Sequence, residues 1–359
     1  MIAAGAAWPR AASRGAPRWL LVLGQVALLW FAGGLVGLAS AQMGAFGGGS
    51  RTVGPPERDV AEWLVRLQQA TRIPSYVGTF VVSSSSGAMA SARIWHVCDG
   101  DLLMERVEAL TGVPRSIYRR NESVVTFLPE SRTVKTEQRE AGGVFPNLLA
   151  PGSGFSTADF YAARNVGQDR VAGFDADIVQ FDPRDDLRFG YRIWSEKRTG
   201  MVVKTQTLDR SGRVLEQSAF SELQLNAPVE VGKLQRMMAG TEGYQVEKVE
   251  RVRTTPQAEG WALKSDVPGF KTQSCYRRPM APARSTLQWS FSDGLATVSL
   301  FLEPFQPQRH VREGVATLGA THTLSRRLAD GAGDWWVTAV GEVPPQTLQA
   351  FVERLERRK

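Results

Sequence analysis

Two cysteines and three histidines are all the thiols and imidazoles in 359 residues. Cys98 and Cys275 form no CxxC pair, and His96, His310 and His322 lie in separate stretches, so nothing is present from which to build a zinc site or a thioredoxin-type redox centre. HExxH, GxSxG and the phosphate-cradling P-loop are all missing. Gly152-Ser153-Gly154 lacks the flanking residues of a nucleophile elbow, and each histidine reads as structural. Asp182, Asp185 and Asp186 in FDPRDD are the nearest approach to a carboxylate cluster. Arg184 and Arg188 neutralise them locally and Pro183 marks a turn, so they read as a solvated hairpin tip. No catalytic residue, metal site or cofactor is expected, and the chain does not read as an enzyme. Concentrated charge is also lacking. The formal net charge of +7 includes Arg10, Arg14 and Arg18, which have no acidic partner before residue 41. With no basic stripe and no recognition motif in the remainder, nucleic acid is not an expected partner.

What is present first is a leader. Three arginines precede an apolar run from Trp19 to Leu38, and Ala39-Ser40-Ala41 supplies the small residues that a signal peptidase accepts. Residues 1–41 therefore read as a cleaved signal peptide, and 42–56 (QMGAFGGGSRTVGPP) as a flexible glycine-rich linker. An uncleaved anchor is the rival, because about 20 apolar residues can span a bilayer. Either way the bulk of the chain is exported. Export makes Cys98 and Cys275 candidates for one disulfide joining two domains, with two separate buried thiols as the alternative.

A first domain is expected over 57–226. Val60, Trp63, Leu64 and Leu67 have helical spacing, so Glu57 to Ala70 reads as an amphipathic helix. From Tyr76 the period falls to two. Strands are expected at Tyr76–Ser83, Ala88–Val97, Asp101–Leu110, Val113–Arg120, Ser123–Leu128 and Arg132–Gln138. The stretch from Ala141 to Gln168 breaks the pattern, with a short helix at Ser156–Arg164. Strands resume at Gly173–Phe181 and continue into a meander from Phe189 to Leu225, cut by turns ending in Gly200 and Gly212. About ten strands and two helices make a strongly curved sheet or half-barrel. Residues 227–243 read as a linker and 244–359 as a smaller α+β domain. Its expected hairpins turn at Ser292-Asp293-Gly294 and at Asp330–Gly333, and it closes with a helix after Pro344-Pro345.

The fold class is thus α+β: a large half-open antiparallel β-barrel with covering helices, then a smaller α+β domain. Phe80, Val82, Met104, Ile117, Val125, Ile193 and Val203 are candidates to line a lipid-like pocket inside the barrel, or else to fill its core. Basic clusters at Arg115, Arg119 and Arg120, and at Arg277 and Arg278, suit anionic lipid, carboxylates of a partner protein, or charged strand edges.

The order of these features resembles the MucB/RseB family of periplasmic regulators of the envelope-stress sigma factor. The likeness lies in GYRIWSEKRTGMVVKTQTLDRSGRVLEQSAFSEL (Gly190–Leu223), SYVGTFVV (Ser75–Val82), WSFSDGLATVSLFLEP (Trp289–Pro304), and the tail from Gly319-Ala320-Thr321-His322 through DWWVTAVGEVP to the closing helix. It implies a periplasmic protein whose first domain is shaped like the lipoprotein carriers of the Lol system. It also implies binding to the periplasmic domain of a membrane-spanning anti-sigma factor, shielding of that domain from the site-1 protease, and release by lipid or lipopolysaccharide fragments. The family places most of the anti-sigma contact on the second domain and the interdomain groove, where Trp289, Phe291, Leu295, Arg277 and Arg278 are the candidates. A periplasmic lipid or lipoprotein carrier is the alternative function. A homo-oligomer is compatible with the sequence, which fixes no oligomeric state.

Overall fold

The computed structural model describes residues 58–139, 157–281, 284–330 and 333–358. The expected leader (1–41), linker (42–56) and loop Ala150–Gly154 lie outside the described residues.

Asp59 starts the first helix, α1 (Val60–Ala70), with a capping box. Its carboxylate accepts from the Glu62 amide at 2.8 Å, and the Glu62 carboxylate accepts from the Asp59 amide at 3.0 Å. Val60, Trp63 and Leu67 are its buried stripe, the helical spacing expected from the sequence.

Strands follow: β1 (Ser75–Ser84), β2 (Met89–Asp99), β3 (Leu102–Ala109), β4 (Ser116–Arg120), β5 (Ser123–Leu128) and β6 (Thr133–Gln138). Next come a single turn, α2 (Thr157–Phe160), and then β7 (Tyr161–Val171), β8 (Phe174–Pro183), β9 (Gly190–Glu196), β10 (Val202–Leu208), β11 (Val214–Leu225), α3 (Val231–Ala239) and β12 (Gln245–Val249). All twelve strands form one open sheet in the order β12-β6-β5-β4-β3-β2-β1-β11-β10-β9-β8-β7. The meander β9-β10-β11 closes against β1 antiparallel, and Gly200 and Gly212 adopt φ of +77° and +81° in its two turns.

Three expectations change. The helix expected at Ser156–Arg164 stops at Phe160, because Tyr161 onward pairs with β8 from Tyr161↔Pro183 to Val171↔Phe174. The expected linker 227–243 contains α3, whose Leu234, Met237 and Met238 pack on Tyr118, Val125 and Phe127. Gln245–Val249 does not open the second domain: as β12 it extends the large sheet, parallel to β6.

The second domain contains β13 (Val252–Arg253), β14 (Trp261–Leu263), β15 (Lys271–Ala281), β16 (Arg284–Ser292), β17 (Thr297–Pro304), β18 (Gly314–Leu318), β19 (Thr321–Asp330), β20 (Gly333–Gly341), α4 (Pro345–Arg354) and β21 (Leu355–Arg357). Seven of its strands run β13-β15-β16-β17-β20-β19-β18, and β14 pairs with β21. Leu348, Phe351 and Val352 of α4 seal the core formed by Trp289, Phe291, Leu300 and Val337.

Candidate partner-binding and ligand-binding surfaces

The large sheet curls onto itself. Phe80, Ile94 and Val107 from β1–β3 share one cluster with Ala176, Trp194, Met201 and Val203 from the far side of the same sheet. Gly78 makes room for this inner face: a Cβ there would lie 2.6 Å from the Phe220 ring and 2.8 Å from the Glu222 carbonyl oxygen. Two further clusters cover the outer face. α1 lies on Val179, Phe181, Tyr191, Ile193 and Val202, while α3 lies on Met104, Tyr118, Val125, Phe127 and Val134.

The seven pocket candidates are therefore not brought together. Phe80 and Val203 are in the inner cluster with Val82 packed against it, and Ile117, opposite Val107 in β3, shares their face. Ile193 lies under α1, and Met104 and Val125 lie under α3. Alternation along a strand sends adjacent residues to opposite faces, and covering helices bury the outer face as fully as the inner one. On the inner face a polar group interrupts the apolar surface: His96 Nδ1 is 2.9 Å from Glu105 Oε1, and the Tyr76 ring stacks on His96 with centroids 4.6 Å apart. Burial, and secondarily the Glu105 carboxylate, push the Tyr76 phenol well above its usual range.

The domains meet at the end of the FDPRDD stretch: Arg184 and Asp186 are exposed, as expected of a solvated tip, but Asp185 and the following Arg188 turn into the junction. Arg188 and Asp293, from different domains, are both 0% exposed and joined Nε to Oδ2 at 2.8 Å. The guanidinium also bonds Asp185 and donates to the Pro268 carbonyl at 2.8 Å, and it stacks on Phe160 at 4.5 Å and Phe270 at 5.1 Å. The Asp293 carboxylate accepts from Tyr161 Oη at 3.1 Å and from the amides of Leu295 and Ala296 at 2.9 and 2.7 Å. Both charges are thus satisfied in a desolvated site, the condition under which a buried ion pair persists. Apolar contacts are reciprocal: Leu187 packs against the second domain's core and Leu295 against the α1 cluster. Thr347 Oγ1 donates to the Leu187 carbonyl at 2.7 Å and Gln346 Nε2 to that of Asp186 at 2.8 Å.

Among the five candidates for partner contact, Trp289 and Phe291 are buried in the second domain's core at 4% and 3% exposure, and Trp289 Nε1 donates to Thr272 Oγ1 at 3.1 Å. They face inward because alternation in β16 puts both on the side covered by α4, so neither presents a surface. Leu295 is spent on the domain junction. Arg278 is buried, and burial followed by repulsion from Arg251 lowers it to about 10. Arg277 remains largely at the surface, paired with Glu259. Of the other basic cluster, Arg119 is buried and Arg120 exposed. The disulfide is not formed. Cys98 on β2 and Cys275 on β15 are both free, Cys275 lying within the second core, where burial pushes its thiol up to about 12. His310 is structural, 3.1 Å from Glu303 and stacked on Trp336.

The junction residues escaped sequence reasoning because their partners are remote. Arg188 and Asp293 are 105 positions apart, and each lies in a turn that looks locally complete. A signal was available in Asp293, the central residue of a hairpin turn expected from the sequence, flanked by strongly apolar strands.

A curled, open sheet, antiparallel except for its β12 edge, with a second β-domain fastened to it through a buried ion pair, defines a two-domain scaffold of the half-barrel class. Sequence profiles for the MucB/RseB N-terminal domain and the MucB/RseB C-terminal domain match residues 59–238 and 255–356. The chain belongs to the MucB/RseB family. It is 32% identical over 302 residues to the sigma factor AlgU regulatory protein MucB of Pseudomonas aeruginosa, covering 81% of this chain and 89% of that one. To the sigma-E factor regulatory protein RseB of Escherichia coli K12 it is 23% identical over 306 residues, covering 82% and 89%. The crystal structure of MucB in complex with MucA(peri) superposes with a TM-score of 0.63 at 29% identity, covering 84% of this chain and all of that one.

Proposed function

We propose that this protein is a periplasmic negative regulator of an envelope-stress sigma factor, acting by binding and not by catalysis. It grips the periplasmic domain of a membrane-spanning anti-sigma factor, covers it against the site-1 protease, and releases it when lipid or lipopolysaccharide fragments bind. One observation carries this reading: both domains match, along nearly their whole length, a MucB that was crystallised with MucA(peri). Export through the leader at 1–41 places the protein beside such a partner, and among the described residues no helix is long and apolar enough to cross a membrane. The energetics need no chemistry. A cover that binds the cleavable segment lowers its accessible fraction, and a ligand preferring the unbound cover weakens the grip by the same factor by which the partner weakens ligand binding.

The partner's contact belongs to the junction and the surface of the second domain, where Arg277 is exposed. Lipid belongs to the inner face at Phe80, Val82, Ile117 and Val203, where an acyl chain would displace side chains that now pack on one another. A carrier would need only the half-barrel. The buried Arg188–Asp293 connection gives the second domain a fixed place, which favours the regulator. The test mixes the exported chain with the periplasmic segment of the anti-sigma factor from the same organism, and follows complex formation and protection from the site-1 protease. A micromolar or tighter complex with slowed cleavage is expected; no complex at those concentrations removes the proposal and leaves the carrier.

A further inference from the structure

One residue joins the edges of the two sheets. Arg251 lies between β12 and β13, and the pairing on either side of it fixes its neighbours. Val249 of β12 is beside Glu137 of β6 in parallel register, so two steps on Arg251 comes beside Arg139. Val252 of β13 is opposite Arg277 of β15 in antiparallel register, so one step back Arg251 comes opposite Arg278. Three arginines thus gather around one carboxylate. Both oxygens of Glu137 are engaged by two of them: Oε1 by Arg139, and Oε2 by Arg251 Nη2 at 2.9 Å. The third has no such partner. Arg278 is 7% exposed, and among the described residues its guanidinium meets only the neutral Gln288 side chain, Nη1 to Oε1 at 3.3 Å. Arg139 Nε is also buried without a hydrogen-bond partner among the described residues. Like charges placed opposite each other destabilise a sheet, and a buried cation is costly unless it is paired. Counting Glu140, next in the sequence, still leaves three guanidiniums to two carboxylates. Packing alone gives no reason for this excess of positive charge at the seam of two domains.

We propose that Arg139, Arg251 and Arg278 form an anion site at the seam of the two sheets, built for a phosphate monoester, free or on a lipid headgroup. Such a group carries close to two negative charges near neutral pH and offers three terminal oxygens. A carboxylate brings one charge and two oxygens, so three guanidiniums carried by three separate segments suit the phosphate better. Arg139, with 30% of its side chain exposed, is the way in. The site also adjoins the apolar inner face. Glu137 and Arg119 both stand opposite Val124, and Ile117 lies on the same face two residues before Arg119. Arg119 itself is matched by Glu105 directly opposite it. A headgroup phosphate held by the arginines would therefore send its acyl chains along Ile117, Val107 and Phe80. The lipid source rests on reading the inner face as the lipid surface, whereas the phosphate site stands without that reading and without any partner protein.

The experiment uses the exported chain in phosphate-free buffer at neutral pH and low salt. Inorganic phosphate is titrated by calorimetry, with a glutamate-rich peptide as the carboxylate control. Phosphatidylcholine vesicles with and without phosphatidic acid, a lipid that ends in a phosphate monoester, are sedimented with the chain. The wild type is expected to bind inorganic phosphate and the phosphatidic acid vesicles, and to leave the peptide and the plain vesicles. Arg278→Gln and Arg139→Gln are each expected to weaken phosphate binding about tenfold, the loss of one charge-assisted hydrogen bond. Exposed Arg72→Gln is expected to leave it unchanged. Because Arg278 is uncompensated without the anion, Arg278→Gln is expected to melt no lower than the wild type in phosphate-free buffer. Binding of inorganic phosphate without the vesicles keeps the site and removes the lipid source. No phosphate binding to the wild type, undiminished affinity in both variants, or tighter binding of the peptide than of phosphate overturns the proposal. So does an Arg278→Gln chain that melts lower at unchanged affinity, which would mark a structural cation; if that variant fails to fold, Arg139→Gln decides.

Discussion

Arg188 and Asp293 are each held by several groups, so removing one partner leaves the other as a buried, uncompensated charge. Arg188→Met is expected to cost about 3–5 kcal/mol in urea unfolding, and the apolar pair Arg188→Met with Asp293→Leu to recover much of it, because the desolvation cost then disappears from both sides. Recovery confined to the double variant distinguishes the lost pairing from lost volume. Gly78 gives a steric counterpart: Gly78→Ala drives a methyl into the Phe220 ring and is expected to cost about 1–3 kcal/mol. The thiols can be read chemically. Cys275, with its thiol near 12, is expected to resist a thiol reagent at pH 8 until the chain unfolds, while half-buried Cys98 reacts in the native state. Protein from the periplasm with no titratable thiol even after denaturation would restore the disulfide. At this scale the sequence was least informative. A residue's face follows from its strand parity, but which face a helix covers does not, so Met104 and Val125 look the same as Phe80 until α3 is in place.

Helices and strands were more legible, because their causes are local. The period of two from Tyr76 onward sets the first six strands to within a few residues, and α1 begins at Val60 behind the Asp59–Glu62 box, three residues after the Glu57 start expected from the spacing. Asp59→Ala removes one half of that box and is expected to lower stability by about 1 kcal/mol, read as a shift of the urea midpoint at unchanged slope. What local pattern missed is instructive. The run Leu234-Gln235-Arg236-Met237-Met238 ends in Ala239-Gly240 between two charged stretches and looks like a tether, yet its apolar stripe meets Tyr118, Val125 and Phe127. Edge strands fared similarly: β7 and β12 are exposed along most of their length, so neither displays the alternation by which a half-buried strand is recognised.

For the whole molecule, the question is whether two domains behave as one. The fastening at Arg188–Asp293 is accompanied by reciprocal apolar insertion, with Leu187 against the second core and Leu295 against the α1 cluster, and β12 ends in the large sheet only three residues before β13 begins in the small one. A junction that desolvates charge and apolar surface together couples the unfolding of both sides, in contrast to the loose interfaces usual between domains of one chain. The wild type is expected to melt in a single calorimetric transition whose van't Hoff and calorimetric enthalpies agree. Leu187→Ser combined with Leu295→Ser removes apolar contact from each side without touching the ion pair. This double variant is expected to separate the melting into two transitions and, under the regulator reading, to weaken anti-sigma binding with it, because a partner spanning both domains must first bring them into register. Two transitions with undiminished binding would mean that the partner contacts one domain alone, and a single unaltered transition would mean that the ion pair holds the domains without the leucines.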